Sequence, residues 1–300
     1  MKIRQLKETD IEDLLSLWNR NMQFDPMSPE LLEEKVWDDP DYAADMAYVV
    51  EHEKQVIAFI MGIIRQKEDG PMGYIKKLVV DKKFQRRGMG GRLLREMERL
   101  LYRRNVRTVR ILESAPNYLT PGLDVRYTKG LIFFEQHGYQ RFDETYNLDV
   151  DLDEQSFDTA EKERALAAGG IEIRRALPQD SQATEAFVQQ EWAAWVPEVR
   201  QCFKNNPLSL HLAIQDGQII AFSGYDGNNL GTGAFGPVGT TPACRGKGVG
   251  GVLTLRCLKD IKAQGRRYAI VPWIGPLKFY VHYAGAEIAR VFHRYQKVFQ

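Results

Sequence analysis

Val238–Gly250, with the sequence VGTTPACRGKGVG, is the stretch that decides the fold. It follows a short apolar segment, passes through a basic turn and ends in closely spaced glycines: Gly246, Gly248 and Gly250. Apolar side chains then recur at helical spacing as far as Ile261, so a helix is predicted to begin inside the glycine run. Glycines let a backbone approach a ligand closely, and the free N–H groups of a helix N-terminus attract phosphate.

A second copy of this pattern occurs earlier in the chain. Leu78–Gly90 reads LVVDKKFQRRGMG, again an apolar strand, a basic turn, glycines and the start of an amphipathic helix. A single loop of this kind is explained equally well as a surface turn with solvated arginines. Two copies in the same context favour binding of a phosphate-containing cofactor at both loops.

The similarity between the two halves extends beyond the loops. IEIRR at 171–175 repeats the pattern of MKIRQ at 1–5. Ile3 and Ile173 are 170 positions apart, and Gly88 and Gly248 are 160 apart, so one domain is used twice with a shorter spacing in the second copy. The sequence predicts two α/β domains, 1–150 and 170–300, joined by an acidic and then alanine-rich linker, 151–169.

The composition is that of an ordinary soluble globular protein, with 44% hydrophobic and 27% charged residues. The 41 basic residues are balanced by 40 acidic ones, so neither nucleic acid nor a membrane surface is an expected partner. The cysteines and histidines show no ligand spacing, and we expect no disulfide framework and no metal site. The first residues form no apolar leader, so a cytoplasmic location is expected.

The two glycine loops resemble those of the GNAT superfamily of acyl-CoA-dependent N-acyltransferases. The signature of that family is a strand, then (Arg/Gln)-x-x-Gly-x-(Gly/Ala), then a helix. The loops at 85–90 and 245–250 both match it, and the order of elements in each half is similar too. The tandem arrangement is similar to that of mycothiol synthase. The resemblance implies an α/β fold with two tandem GNAT-like domains, each a central mixed β-sheet flanked by helices.

The resemblance also implies that each loop holds the pyrophosphate of coenzyme A, with acetyl-CoA as the cofactor. In the second half the implied residues are Arg245, Gly246, Lys247, Gly248, Val249 and Gly250. In the first half they are Gln85, Arg86, Arg87, Gly88, Met89 and Gly90. Val80, Val238 and Thr240, on the strands that precede the loops, would contact the pantetheine arm.

Members of the family often place a tyrosine on the short late helix, as the acid that protonates the leaving thiolate. Tyr280 stands there in the second half, and a core aromatic beside Phe279 is the alternative for this residue. The first half has Phe134 at the matching place and lacks the hydroxyl, so the second half is the favoured catalytic domain. Neither half has the asparagine that the family commonly uses upstream, because Tyr127 and Trp273 stand there.

The general base is less well defined by the sequence. The two central strands predicted in the second half, GAFGPVG and YAIVPW, carry no carboxylate or histidine. A lysine amine of pKa about 10.4 is costly to deprotonate at pH 7 without a carboxylate, whereas an α-amine of pKa about 8 is not. The predicted acceptor is therefore an amine of lowered pKa, such as an α-amino group or an amino sugar. Asp226, Glu191 and, in the first half, Glu113 remain candidate bases, with solvated or ion-paired side chains as the alternative.

Two further features bear on the acceptor. Trp192 and Trp195 lie on the second half's first helix, where the acceptor commonly enters in the GNAT family and where core packing is the alternative. The loop at 116–127 has the length of a lid, or of a plain connection.

These observations predict a cytoplasmic N-acetyltransferase that moves an acetyl group from acetyl-CoA directly to the primary amine of a small molecule. A CoA-binding module without turnover and a protein N-acetyltransferase are the alternatives. Assembly into a homo-oligomer is compatible with the sequence.

Overall fold

Two units divide the chain in the computed structural model, which describes residues 1–154 and 156–299. The first unit consists of Met1–Thr145 together with the C-terminal residues from Val291 onward. The second unit consists of Tyr146–Arg290.

The elements follow one another in a similar order in both units. The first series is β1 (Lys2–Gln5), α1 (Ile11–Asn21), α2 (Pro29–Val36), β2 (Ala47–His52), β3 (Gln55–Lys67), β4 (Gly70–Val80), α3 (Met89–Arg103), β5 (Thr108–Ile111), β6 (Leu123–Asp124), α4 (Thr128–Gln136) and β7 (Gln140–Asp151). The second series is α5 (Ala160–Ala168), β8 (Ile171–Arg175), α6 (Ser181–Trp192), α7 (Val196–Cys202), β9 (Leu210–Gln215), β10 (Gln218–Tyr225), β11 (Phe235–Thr240), α8 (Val249–Ala263), β12 (Tyr268–Val271), α9 (Leu277–Ala284) and β13 (Glu287–Val298).

The sheet of the first unit has the order β1-β2-β3-β4-β5-β13, in which β4 and β5 are parallel and the other pairs are antiparallel. β3 is apolar from Val56 to Ile64 because helices cover both of its faces. α1 and α2 pack on one face, in a cluster with Phe59. α3 and α4 pack on the other, in a cluster with Ile60.

In the second unit, β8, β9, β10 and β11 form an antiparallel sheet, and β12 pairs with the part of β7 that begins at Leu148. A single parallel bridge, Ala234 with Ile270, joins β11 to β12. α8 and α9 pack in a cluster with Phe235, and α6 and α7 pack in another with Phe222. The predicted fold class is confirmed: both halves are α/β, with mixed sheets flanked by helices.

The division into units differs from the predicted domains 1–150 and 170–300. Residues 146–150 belong to the second unit, where β7 pairs with β12, and residues from 291 onward belong to the first, where β13 pairs with β5. The long strands β7 and β13 each contribute residues to both units. Local sequence patterns do not show that one strand is shared in this way. The predicted linker contains α5, whose Leu166 packs in a cluster with Ile171.

Candidate functional site

Both glycine loops end in a left-handed glycine that caps a helix. Gly88 precedes α3 with φ = +79°, and Gly248 precedes α8 with φ = +81°. A residue with a side chain rarely adopts this conformation, which explains glycine at both positions. A Cβ atom added to either glycine would meet no atom within 4 Å, so the surface of each loop is open.

The backbone of each loop carries a run of unused N–H groups. Among the residues that the structure describes, the N–H groups of 86–91 and of 246–251 donate to no protein acceptor. They lie at the positive end of a helix dipole, and basic side chains flank them: Arg86, Arg87, Arg245 and Lys247. Each loop therefore fits the oxygens of a pyrophosphate group.

The first residue of each signature closes the loop onto the preceding strand. Gln85 donates from Nε2 to the carbonyl oxygen of Val80 at 2.8 Å, and Arg245 donates from Nε to that of Thr240 at 3.3 Å. Both side chains are long and end in a planar N–H donor, so arginine and glutamine can make the same bond. The carbonyl oxygens of Val80 and Thr240, predicted to face a pantetheine arm, already accept one hydrogen bond each from the loop.

The strand before each loop separates from its parallel neighbour, and the opening between the two strands is called the fork below. In the first unit, β4 and β5 pair as far as Ile75 with Ile111. In the second unit, the bridge between Ala234 and Ile270 is the last parallel contact of β11 with β12 in the described part of the chain. Each fork leads toward its glycine loop.

A β-bulge lies at the inner end of both forks. The register of β4 with β3 shifts at Lys76, and the register of β11 with β10 shifts at Gly236, whose φ is +123°. Bulges redirect side chains and are frequent next to active sites. At this point the first unit has Lys76 and Lys77, where the second has Gly236 and Pro237.

The fork of the second unit is the more open of the two. Gly236, Val238 and Thr240 are half-buried on alternate positions of β11. Along the matching stretch of β4, only Leu78 and Val80 are half-buried, and the lysines are fully covered. The second unit thus has a longer groove beside the strand.

Tyr280 lies on α9 and is 8% exposed. Its ring contacts Phe235 and Phe279, with centroid distances of 6.0 Å and 5.1 Å. Burial raises the pKa of its phenol to about 12. Among the described residues, none hydrogen bonds to its hydroxyl. The ring is therefore a core aromatic, as the alternative interpretation had it, and its O–H group remains available to a ligand.

The position of α9 ties Tyr280 to the glycine loop. A Cβ atom on Gly250 would lie 3.1 Å from Thr240 Oγ1 and 3.7 Å from the ring of Phe279. Gly250 is thus small because the strand end and α9 approach it closely. Phe279, the neighbour of Tyr280, borders the start of α8.

The first unit repeats this packing without the hydroxyl. A Cβ atom on Gly90 would lie 3.3 Å from the ring of Phe133, as Phe279 lies beside Gly250. Phe134, the next residue, contacts Phe133 and Tyr139 with ring centroids 5.2 Å and 5.4 Å apart. The structure supports the alignment of Phe134 with Tyr280, so the first unit presents no phenol at this place.

A network of buried charged side chains surrounds the β-bulge of the first unit. Lys76 Nζ donates to Asp39 and, at 2.6 Å, to Asn117 Oδ1. Arg65 donates to both carboxylate oxygens of Asp39 at 2.6 Å and 2.7 Å, and to the carbonyl oxygens of Ser114 and Pro116 at 3.0 Å and 2.7 Å. The first part of the loop predicted at 116–127 is therefore fixed to the sheet.

Glu113, a candidate base of the first half, is held in ion pairs. Its carboxylate accepts from Arg110 at 3.0 Å and from Arg294 at 2.7 Å and 2.8 Å, and its side chain is 1% exposed. The structure agrees with the ion-paired alternative for Glu113, because both of its carboxylate oxygens accept hydrogen bonds from arginines.

Of the second half's candidate bases, Asp226 lies away from the loop end of β11, whereas Glu191 adjoins Trp192, which packs against Gly239 near that end. Asp226 follows β10, and its N–H donates to the carbonyl oxygen of Ala234 at 2.9 Å, at the opposite end of β11 from Thr240. Glu191 is exposed on α6. Trp192 and Trp195 stack with ring centroids 6.1 Å apart and pack in a cluster with Phe222, as the core-packing alternative states.

Two features of the site were absent from the sequence analysis. Asn147 on β7 is buried and accepts a hydrogen bond from the N–H of Trp273 at 3.0 Å, which holds the chain between β12 and α9. Its partner is distant in sequence, so no local pattern marked it. Lys76 and Lys77 interrupt the apolar strand YIKKLVV, and that interruption was a usable signal.

Comparison with known proteins gives the family to which this fold with its paired forks belongs. Residues 11–120 and 171–274 match the acetyltransferase (GNAT) family, whose members use acetyl-CoA. The chain therefore belongs to this family of N-acetyltransferases, and the predicted resemblance is confirmed. No protein in a curated collection matches the chain.

Solved structures share the fold at low sequence identity. A glucosamine N-acetyltransferase region in a fungal multi-domain β-N-acetylglucosaminidase is 16% identical, with a TM-score of 0.81; the match covers 99% of this chain and 38% of that one. An N-acetyltransferase from Sphaerobacter thermophilus is 19% identical, with a TM-score of 0.71 and coverage of 99% and 95%. A tandem GNAT protein of the clavulanic acid pathway is 16% identical, with a TM-score of 0.71 and coverage of 99% and 98%.

Two other kinds of site have no counterpart within residues 1–154 and 156–299. No group of three or more histidine, cysteine or acidic side chains has an arrangement that would hold a metal ion. Over the same ranges, no helix is both long enough and apolar enough to cross a membrane.

Proposed function

We propose that the chain transfers the acetyl group of acetyl-CoA to the primary amine of a small molecule, and that the second unit performs the transfer. The observation that carries this proposal is the phenol of Tyr280, which has no hydrogen-bond partner among the described residues and lies on the helix that borders the open fork. The first unit has Phe134 at this place and a covered fork.

The residues present fit the cofactor. In the second unit, the N–H groups of 246–251 would hold the pyrophosphate, and Arg245 and Lys247 would add positive charge. The half-buried edge of β11 at Gly236, Val238 and Thr240 would receive the pantetheine arm. Acetyl-CoA supplies an acetyl group that is activated as a thioester.

Tyr280 would act by holding a proton on its phenol oxygen. Burial keeps its pKa at about 12, so the phenol is protonated throughout the neutral range and serves as an acid and not as a base. The packing of its ring against Phe235 fixes the direction of the hydroxyl.

The acceptor is proposed to be an amine of low pKa. Asp226 lies at the opposite end of β11 from the glycine loop and Glu191 is exposed, so neither candidate base is a buried carboxylate at the loop end of β11. Deprotonating a lysine amine at pH 7 costs about 4–5 kcal/mol, against about 1.4 kcal/mol for an α-amine. Amino sugars are included because one structural neighbour is described as a glucosamine N-acetyltransferase region.

The test is release of thiol from acetyl-CoA with a panel of amines: amino acids, amino sugars, polyamines and lysine peptides. Gly248→Val and Gly88→Val form a matched pair, because each would place a side chain on an open loop at a left-handed position. We expect one class of small amine to support release, Gly248→Val to abolish it and Gly88→Val to preserve it. Release with lysine peptides alone, or loss in Gly88→Val alone, would contradict the proposal.

The first unit fits a second function, binding of coenzyme A without transfer to an outside acceptor. Its loop has the same free N–H groups, while Lys76, Asp39 and Arg65 close the inner end of its fork. Two equivalents of acetyl-CoA bound per chain, one of them lost in Gly88→Val, would support this role.

A further inference from the structure

A small, partly open cavity lies in the fork of the first unit. Lys77 and Leu112 face it from the two sides of the opening, just beyond the last pair of β4 with β5, and the N–H of Leu112 donates to the carbonyl oxygen of Ile75 at 3.1 Å. Asp25, Thr120 and Tyr127 also line it. The cavity has about 10 Å³ of room for the centre of a water molecule, enough for about one water.

Lys77 brings an amine to the place where the two parallel strands part. The residue is 1% exposed, and its ammonium lies 5.5 Å from the centroid of the Trp18 ring. The next lysine along, Lys76, is bound to Asp39 and Asn117, so its Nζ is engaged elsewhere. The second unit has Pro237 in place of Lys77 and so offers no amine there.

The surroundings of Lys77 favour its uncharged form. Burial holds the pKa of Lys77 well below its usual value, and the charges of Lys76 and Lys35 act in the same direction. Asp25 and Asp39 act against it but do not outweigh these effects. An uncharged amine is the nucleophilic form, so burial lowers the cost of preparing Lys77 for attack.

We propose that Lys77 is a self-acetylation site, which receives the acetyl group of an acetyl-CoA molecule bound at the first unit's own glycine loop. The inference rests on the proposed binding of acetyl-CoA by that loop. The loop begins after Val80, three residues from Lys77, which is roughly 10 Å along an extended strand. An extended pantetheine arm spans this distance.

The chemistry is a single acyl transfer. The Nζ lone pair attacks the thioester carbonyl carbon, the new N–C bond forms, and the C–S bond breaks. The electron pair of that bond leaves with sulfur, and the proton lost by nitrogen converts the thiolate to free coenzyme A. The product is a neutral amide, which, like the uncharged amine, places no ionic group in the buried site.

The size of the cavity predicts a structural consequence. An acetyl group is larger than one water molecule, so the side chains of Leu119 and Thr120, which line the cavity, must move when Lys77 is modified. We therefore expect faster amide hydrogen exchange in the loop at 117–122 after acetylation.

The experiment is to incubate the full chain with acetyl-CoA, without an amine acceptor, and to follow intact mass and peptide mass. We expect one acetyl group per chain, located at Lys77, with a rate independent of protein concentration. Lys77→Arg should remove the modification and leave thiol release with the second unit's acceptor unchanged. Gly88→Val should slow the modification at least tenfold, whereas Gly248→Val should not.

Three results would overturn the inference. They are an unmodified Lys77 in protein whose first loop binds acetyl-CoA, modification at the same rate in Gly88→Val, and absence of acetyl-CoA from the first loop. None of these results bears on turnover by the second unit, because the amine panel measures that turnover separately. A rate that rises with pH as steeply as that of exposed lysines would also count against an uncharged Lys77.

Discussion

One oxygen atom distinguishes Tyr280 on α9 from Phe134, its counterpart on α4. Phe134 and Tyr280 follow Phe133 and Phe279, and each pair packs its first ring beside the corresponding glycine of its loop. The shared packing explains why an aromatic residue stands at both positions. The hydroxyl of Tyr280 has no structural partner among the described residues, so its presence is best explained by a role toward a ligand.

The pKa of Tyr280 predicts the alkaline side of the pH profile. Burial disfavours the charged phenolate, so the pKa is raised to about 12 and the phenol keeps its proton as pH rises from 7 to 10. We expect the maximal rate of acetyl transfer to stay level or rise over this range, because deprotonation of the acceptor helps and the acid is not lost. A fall near pH 10 that disappears in Tyr280→Phe would contradict this.

Arg86 is the residue at which the two glycine loops differ most in backbone strain. It has φ = +64°, at the position where the second loop has Gly246 with φ = +81°. We expect Arg86→Gly to raise the free energy of unfolding by up to about 1 kcal/mol, because a left-handed residue with a Cβ atom is strained. Chemical denaturation measures the change. Arg87→Gly, at a position without positive φ, should instead lower stability by about 0.5–1 kcal/mol.

At the scale of elements, the matched bulges of β4 and β11 lead to different forks. Gly236 leaves the groove of the second unit open, whereas Lys76 ties β4 to Asp39 and to Asn117 of the following loop. The loop length alone allowed a lid or a connection. The hydrogen bonds of Arg65 to the carbonyl oxygens of Ser114 and Pro116 make the first part of this loop a fixed cover.

Asp39 is the anion on which this cover depends. Its side chain is 0% exposed and forms ion pairs with both Arg65 and Lys76. Burial works against its charge, but the hydrogen bond from Arg65 and the charge of Lys76 outweigh it and lower the pKa of Asp39, so its contribution is lost only as pH falls through the acid range.

We expect Asp39→Asn to lower the free energy of unfolding by about 3–5 kcal/mol, because two buried cations lose their counter-charge. Asp41→Asn is the control, since Asp41 also bonds to Arg65 but its side chain is 46% exposed, and a loss of no more than about 1 kcal/mol is expected. Equal losses for the two variants, measured by denaturant unfolding, would contradict the assignment of Asp39 as the buried anchor.

Sequence patterns predicted where helices and strands lie better than which distant residues contact one another. The helix after each glycine loop and the aromatic pair at 279–280 follow from spacing within a few residues, and the structure has them. Asn147 and Trp273 meet across 126 positions of sequence, and Glu113 and Arg294 across 181, so neither pair has a local signal. Lys76 and Lys77 were visible in the sequence as basic residues in an apolar strand, but Asp39, the partner of Lys76, was not.

At the scale of the whole molecule, the chain's last strand belongs to the first unit. Tyr295 is 1% exposed, donates to Glu135 at 2.6 Å and lies in the cluster formed with α3 and α4. β13 also pairs with β5 and supplies Arg294 to Glu113. A division of the chain by sequence similarity alone separates this strand from the unit that it completes.

This arrangement predicts the behaviour of fragments. We expect residues 1–150 alone to unfold at markedly lower denaturant concentration than the intact chain's first unit, because the edge of β5 and the contacts of Tyr295 are lost. Joining residues 291–299 to this fragment through a flexible linker should restore cooperative unfolding. Full stability of the fragment 1–150, with no gain from the added strand, would contradict the assignment.

The most direct test of the account is the rate of acetyl transfer in Tyr280→Phe, compared with Phe134→Leu as the matched change in the first unit. With an amine that supports turnover, we expect Tyr280→Phe to lower kcat by roughly 10²–10⁴-fold with little change in the KM for acetyl-CoA. Phe134→Leu should retain the rate of the unmodified protein. Unchanged kcat in Tyr280→Phe, or a comparable loss in Phe134→Leu, would contradict the claim that the second unit carries the chemistry.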